Sequence, residues 1–208
     1  MTAVGLLARL RTLFDEDVPE FWTDSVCYTT LSDAQREIIN IVTKKFRETP
    51  GIDIPLVLRP LLLSTTQTGL NGQSFPLPPN FFDELSLKIS VTNPGTQFPT
   101  YRRLQNENKY YHQNNSYLKS SNTDIFYDIL PPNLLIESAL VNGSITMDYI
   151  IRPADIDGIA SPNVDPLLDD IAENAMIHFA FAFLLNKSKQ YDRADAEMTL
   201  FTNFVGLL

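Results

Sequence analysis

The run "AMIHFAFAFLL" places the strongest constraint on this chain, because wound as a helix it leaves no polar face. Leu168, Ile171, Ala175, His178 or Phe179, Ala182 and Leu185 recur at helical spacing, and most positions between them are apolar too. A helix that is apolar nearly all round has to be enclosed by other elements. The pattern predicts a central core helix over Asp165 to Asn186, with Asp165 as N-cap and Pro166 as first residue. Asp165, Asp169, Asp170 and Glu173 fall in its first turns, where the helix dipole favours negative charge, and that suffices to explain them.

The enclosing elements are legible on both sides. After the break at "NKSKQ", Tyr191, Ala194, Met198, Phe201 and Val205 form a steady helical stripe. Near the start, Leu6, Leu7, Leu10, Leu13 and Phe14 predict a short helix over Ala3 to Asp15, ended by "DEDVPEF". A second helix is expected over 24 to 47, with Thr23 as N-cap, Asp24 in the first turn, and Cys27, Leu31, Ala34, Ile38 and Ile41 on one face. A competing start lies inside it, since Ser32 with Gln35 makes a capping-box pattern and "VCYTT" is poor helix material.

Between these helices the texture changes. Residues 50 to 99 are dense in proline, threonine, asparagine and glycine, which excludes long helices. "LLLSTTQT", "SFPL" and "ELSLKISV" read as strands. Leu85, Leu87, Ile89 and Val91 alternate with Ser86, Lys88 and Ser90, and "GLNGQ" reads as the turn joining the first two. "DIFYDIL", "LLIESAL" and "SITMDYII" complete an antiparallel set, while 101 to 122 reads as a long polar loop with a helical turn or two. The expected fold is α+β: N-terminal helices over 1–49, a small antiparallel insert over 50–153, and a linker with two long C-terminal helices over 154–208 that complete the helical core.

Several function classes are excluded or disfavoured. The 208 residues include one cysteine, which can form neither an internal disulfide nor a thiolate cluster, and Cys27 has no CxxC and no basic neighbour. His112 and His178 have no partners at ligand spacing, and His178 in its apolar run reads as a packed or hydrogen-bonded core histidine. "DIDG" at Asp155 to Gly158 starts like a calcium loop but lacks the third acidic ligand and the closing glutamate. No GxSxG, Walker or GxGxxG motif occurs and no carboxylate pair stands out, so we expect no catalytic residues, no metal and no cofactor. The N-terminal segment lacks a cleavage site of secretory type, and no window approaches the ~20 apolar residues of a membrane span. With 25 acidic and 16 basic residues the formal charge is -9, which opposes general binding to a phosphate backbone.

Against that charge, Tyr101 to Lys119 stands out, with four cations and one acid, a local +3. Arg102, Arg103, Lys109, Tyr110 and Tyr111 within it are candidate interface residues. The segment could be a solvated loop, could stack single-stranded bases, or could dock on an acidic neighbour, and the overall charge favours the last. Phe204, Leu207 and Leu208 in the apolar "FVGLL" form a second candidate surface.

"FWTD…LSDAQREII", "FPLPPNFFDEL" and "ITMDYIIRPADID", followed by "VDPLLDDIAENAMIHFAFAFLL", resemble in order and spacing the head-tail connector, or adaptor, proteins of tailed bacteriophages over most of the chain. The most telling motif is "YxxRP" closing a strand. The resemblance implies a helical core with a small β insert and a virion protein without catalytic activity. It also implies a homo-oligomeric ring, expected as a dodecamer, between the portal protein and the tail or next connector, with duplex DNA as transiting cargo. It assigns structural roles to Trp22, Thr23, Pro78, Tyr149, Arg152 and Pro153. The polar stretch 101 to 122 departs from many members. A tail-completion or collar protein, or an acidic regulatory binding module, are the alternatives.

Overall fold

The computed structural model describes residues 2–15, 21–49, 53–71, 74–91, 100–104, 124–136, 142–157 and 170–208. The chain divides into two compact units, Met1–Leu61 with Arg152–Leu208, and Leu62–Ile151.

The first unit is helical. α1 (Ala3–Phe14) starts where the Thr2 hydroxyl accepts the Gly5 N–H at 3.1 Å, and it stops at Asp15 in the left-handed region. α2 (Asp24–Glu48) is continuous from its Thr23 cap. The rival start at Ser32 loses because the Ser32 hydroxyl donates to the Tyr28 carbonyl at 2.9 Å, a bond available only inside a helix already running. The buried face holds Cys27, Leu31, Ala34 and Ile38 as the spacing predicts, then moves to Ile39 and Val42, leaving Ile41 half-buried.

After α2 a 3₁₀ turn (Leu56–Leu61) buries Val57, Leu58 and Leu61. α3 (Asp170–Lys187) packs against α1, α2 and α4 (Tyr191–Gly206), so it is the central helix that its all-apolar surface requires. Its expected start at Asp165 and Pro166 lies outside the described residues. Phe181, 2% exposed, meets Phe14 of α1 edge-on with ring centroids 4.6 Å apart. Phe179 is only half-buried and meets Phe201 of α4 at 5.1 Å. On α4, Ala194, Phe201 and Val205 are buried and Met198 half-buried, while Tyr191 is exposed.

The second unit holds two sheets with one core between them. β1 (Leu62–Asn71), β7 (Asn142–Ile151) and β3 (Phe81–Val91) form a three-stranded antiparallel sheet with β7 central. β2 (Ser74–Pro76), β6 (Asn133–Ile136), β5 (Asp124–Leu130) and β4 (Thr100–Arg103) form the other, in that order. Leu87, Ile89, Ile145 and Met147 from the first sheet face Ile125, Tyr127, Ile129 and Leu134 from the second. The α+β class stands, with three corrections in detail. Gly69 to Asn71 belong to β1 rather than to a turn, and β1 and β2 lie in different sheets, so "GLNGQ" closes no hairpin between them. Thr100 to Arg103 form a strand where a loop is expected, and its pairing with β5 is parallel. Alternating hydrophobicity marks a strand but not its partner, and a four-residue edge strand held by backbone bonds needs no apolar pattern at all.

The face of the three-stranded sheet away from this core carries paired hydroxyls. Thr66 bonds Thr146 at 3.0 Å, and the Ser86 hydroxyl donates to Asp148 at 2.6 Å. The bond from Ser86, then one from Ser64, holds the Asp148 carboxyl below its ordinary range.

Two expectations follow. Phe181→Ala removes a fully enclosed ring and should cost ~3 to 5 kcal/mol in denaturant unfolding, with Phe179→Ala costing clearly less. A carboxylate with a lowered pKa stabilises the fold above its ordinary value of 3.8 and loses that contribution as pH falls through the lowered value. Asp148→Asn should therefore destabilise by about 0.5 kcal/mol at neutral pH, much of the effect being screened by solvent, and the gap to the parent should close at acid pH in paired melting curves.

Candidate functional site

Two of the motif segments meet in space. "LSDAQR" lies on α2, and "RPADID" is the stretch by which the chain rejoins the helical unit. The Gln35 side-chain amide donates to the Ala154 carbonyl at 3.0 Å, and the Ile156 N–H donates to the Ser32 hydroxyl at 2.8 Å. Arg36 spans from Asp33 at 2.9 Å to Asp155, with which it also pairs. Pro153 and Ile156 are buried beneath these contacts. An extended segment has no ladder to satisfy its backbone, so buried polar side chains on the helix do that work.

The arrangement also accounts for the acidic residues of "DIDG". Asp155 serves Arg36, and Asp157 borders a polar groove of about 370 Å³ with Ser25, Thr29 and Arg36. Gly158 lies outside the described residues. Among the described residues no group of three His, Cys, Asp or Glu side chains is placed to hold a metal ion. Tyr28 lines the same groove, and burial, then the Asp24 and Asp157 carboxylates, push its phenol pKa up, so it stays protonated. Cys27, beside it in sequence, is a core residue at 1% exposure.

His178 joins α3 to α4. Its Nδ1 lies 2.6 Å from Glu197 Oε2, and its ring stacks on Phe204 with centroids 5.4 Å apart, which is the packed and hydrogen-bonded histidine that its context predicts. His112 lies outside the described residues.

The predicted interface residues fall in both units. Arg102, on β4, is 3.7 Å from Asp124, with 63% of its side chain exposed. Arg103 is 3.7 Å from Asp83 and 3.6 Å from the buried Glu84, which also accepts a hydrogen bond from the Tyr127 hydroxyl at 2.8 Å. Lys109, Tyr110 and Tyr111 lie outside the described residues. In the helical unit Phe204 is engaged with His178, Leu207 is 72% exposed, and Leu208 is half-buried.

Most of the residues singled out by resemblance make capping, packing or hydrogen-bonding contacts. Thr23 caps α2, and the Trp22 carbonyl accepts from Arg11, which also pairs with Asp24. The Pro78 carbonyl accepts the Phe81 N–H at 3.2 Å, and Tyr149 stacks on Phe81 at 5.9 Å. Pro153 is buried and Arg152 exposed.

One feature escaped the sequence reading. Phe14, Phe21, Trp22, Leu185 and Arg193 line a cleft of about 430 Å³, with Phe21 68% exposed at its rim. The available signal was two adjacent large rings placed before an N-cap, outside any helical stripe.

Exposed apolar and charged side chains such as Phe21, Leu207 and Arg102 are surface of the kind used by proteins that pack against other proteins. The family model of the SU10 adaptor protein matches residues 1–208, and the chain belongs to that family, a family of phage head-tail adaptors. The family is structural, and membership makes the chain a virion component that associates with other virion parts. No curated protein matches the sequence. Among the described residues, no helix is long and apolar enough to cross a membrane.

Ser32→Ala should cost about 1 to 3 kcal/mol, since it leaves the buried Ile156 N–H unsatisfied, and Gln35→Ala about 1 kcal/mol, since Ala154 is exposed. Hydrogen exchange at the Ile156 amide gives the sharper readout: it should quicken in Ser32→Ala more than amides of the sheet unit do.

Proposed function

We propose that the chain is a non-catalytic connector that assembles into a homo-oligomeric ring, a dodecamer, between the portal protein and the tail or next connector protein, with duplex DNA passing through an acidic lumen. The observation that carries this reading, beyond family membership, is where the charge lies. The helical unit has 11 basic and 18 acidic residues, a net -7, and the sheet unit 5 basic and 7 acidic, a net -2. DNA carries about one negative charge per 1.7 Å of axis, so a wall built from the helical unit repels the duplex rather than holding it. Such a surface serves transit better than binding.

The same charge opposes assembly, because subunits side by side repel over a screening length of ~8 Å at physiological salt. Lateral contacts therefore need apolar area or local cations. In this reading the basic segment that begins at Arg102 and Arg103, with Lys109, Tyr110 and Tyr111, supplies such cations, and Phe204, Leu207 and Leu208 supply apolar area. Phe21 and Leu56, exposed in the helical unit, add to that area.

Imaging of the purified protein with and without its portal tests the reading. A closed ring, in solution or on the portal, is the expected result, and a protein that stays monomeric in both conditions refutes it. Arg102→Glu is the cleaner probe of the basic segment, since Arg103 lies beside the buried Glu84. It disturbs only an exposed pair worth ~0 to 1 kcal/mol, so Tm should hardly move while ring yield falls, more steeply at low salt. Unchanged assembly at low salt would place the interface elsewhere.

A further inference from the structure

Among its described residues the helical unit carries a cleft and an exposed knob whose chemistries are complementary. The cleft is the one of about 430 Å³ between Phe14, Phe21, Trp22, Leu185 and Arg193. Phe21 and Trp22 meet edge to face at 5.1 Å, so the cleft presents apolar ring surface beside a guanidinium. That guanidinium sits over the Phe181 ring at 5.5 Å and donates to Gln190 at 3.3 Å, contacts that fix its position at the cleft wall. The knob is on the 3₁₀ turn after α2. Val57, Leu58 and Leu61 on it are buried, yet Leu56 is 66% exposed, and three residues before it Asp53 is exposed as well.

We infer that Leu56 and Asp53 of one copy seat in the Phe21–Trp22–Arg193 cleft of the next, leucine against the aromatic rings and carboxylate on guanidinium. The inference rests on the ring reading above and specifies one lateral contact in it. Charge selects a second copy as the occupant. In a chain of -9, a cation of one copy meeting an anion of the next offsets the repulsion between copies, and Arg193 with Asp53 does so beside apolar surface. An aromatic and arginine anchor around a small apolar knob is also the composition of energetically dominant interface positions. The contact uses different patches on the two copies: the cleft, built by Phe21 and Trp22 before α2 with Leu185 of α3 and Arg193 of α4, and the knob on the 3₁₀ turn after α2. Such a heterologous contact repeats from copy to copy and generates a ring when the rotation closes.

The chain has one tryptophan, and it lines the cleft, so its emission reports occupancy directly. The experiment follows Trp22 emission and particle mass together as the full-length protein is concentrated, and again on addition of portal. A blue shift that tracks assembly is expected. Leu56→Ser, Asp53→Arg and Arg193→Asp should each weaken association about tenfold or more, and Asp53→Arg with Arg193→Asp in one chain should recover most of it. Arg193 also touches Phe181, so Leu56→Ser, a change at an exposed position, carries the test if Arg193→Asp melts early. Rings that form equally well in Leu56→Ser, with Trp22 emission unchanged, overturn the contact and leave the ring reading intact. A shift of Trp22 emission seen only with portal and indifferent to Leu56→Ser assigns the cleft to the portal and overturns it too. A wild-type chain that never assembles removes the ring reading and this contact together.

Discussion

Two side chains on α2, Ser32 and Gln35, decide where a chain that leaves the helical unit at Leu61 rejoins it at Arg152. The enclosure of α3 depends on that return, because α3 follows the rejoining segment in sequence. A greasy core could hold the helices together in more than one register. Hydrogen bonds to the Ala154 carbonyl and the Ile156 amide favour one register over the others, since the buried Ile156 N–H left unpaired would carry a desolvation cost. Two of the segments that carried the family resemblance are therefore linked by a contact: "LSDAQR" and "RPADID" bind each other.

Charge and packing are segregated in a related way. α3 contributes mainly apolar surface inward, while the acidic excess sits mostly in the unit that α3 organises. The cations placed among its helices have local duties. Arg11 binds the Trp22 carbonyl and Asp24, Arg36 joins Asp33 to Asp155, and Lys45 reaches the Gly206 carbonyl at 3.3 Å near the end of α4. Each of these contacts ties a helix to another segment of the same unit.

Periodicity made the helices readable: the stripes of α1, α2 and α4 and the all-apolar α3 appear at the expected positions, and the family expected from the motifs is the one that matches. What the chain did not disclose is long-range. Ser32 looked like a capping residue because its spacing to Gln35 fits a local pattern, while its real partner lies in the segment after β7. The strands were found, but the division of β1 and β2 between sheets and the parallel course of β4 depend on tertiary pairing that alternation does not encode. Of the interface candidates, Arg102 and Arg103 proved to sit near acids of their own unit, and the cleft at Phe21 and Trp22 was missed, because a concave surface is built from residues distant in sequence.

The register of the three-stranded sheet places Leu62 opposite Ile150. The sheet unit is thus entered and left on neighbouring strands, which lie about 5 Å apart in any antiparallel pair. To the helical unit this amounts to a loop whose two ends nearly touch, so what is threaded between them has little leverage on the helices. Insertions with paired ends are the kind that chains tolerate, exchange and lose. A change of length within the sheet unit can then be absorbed at little cost to the helical scaffold, because the two ends that it joins stay side by side.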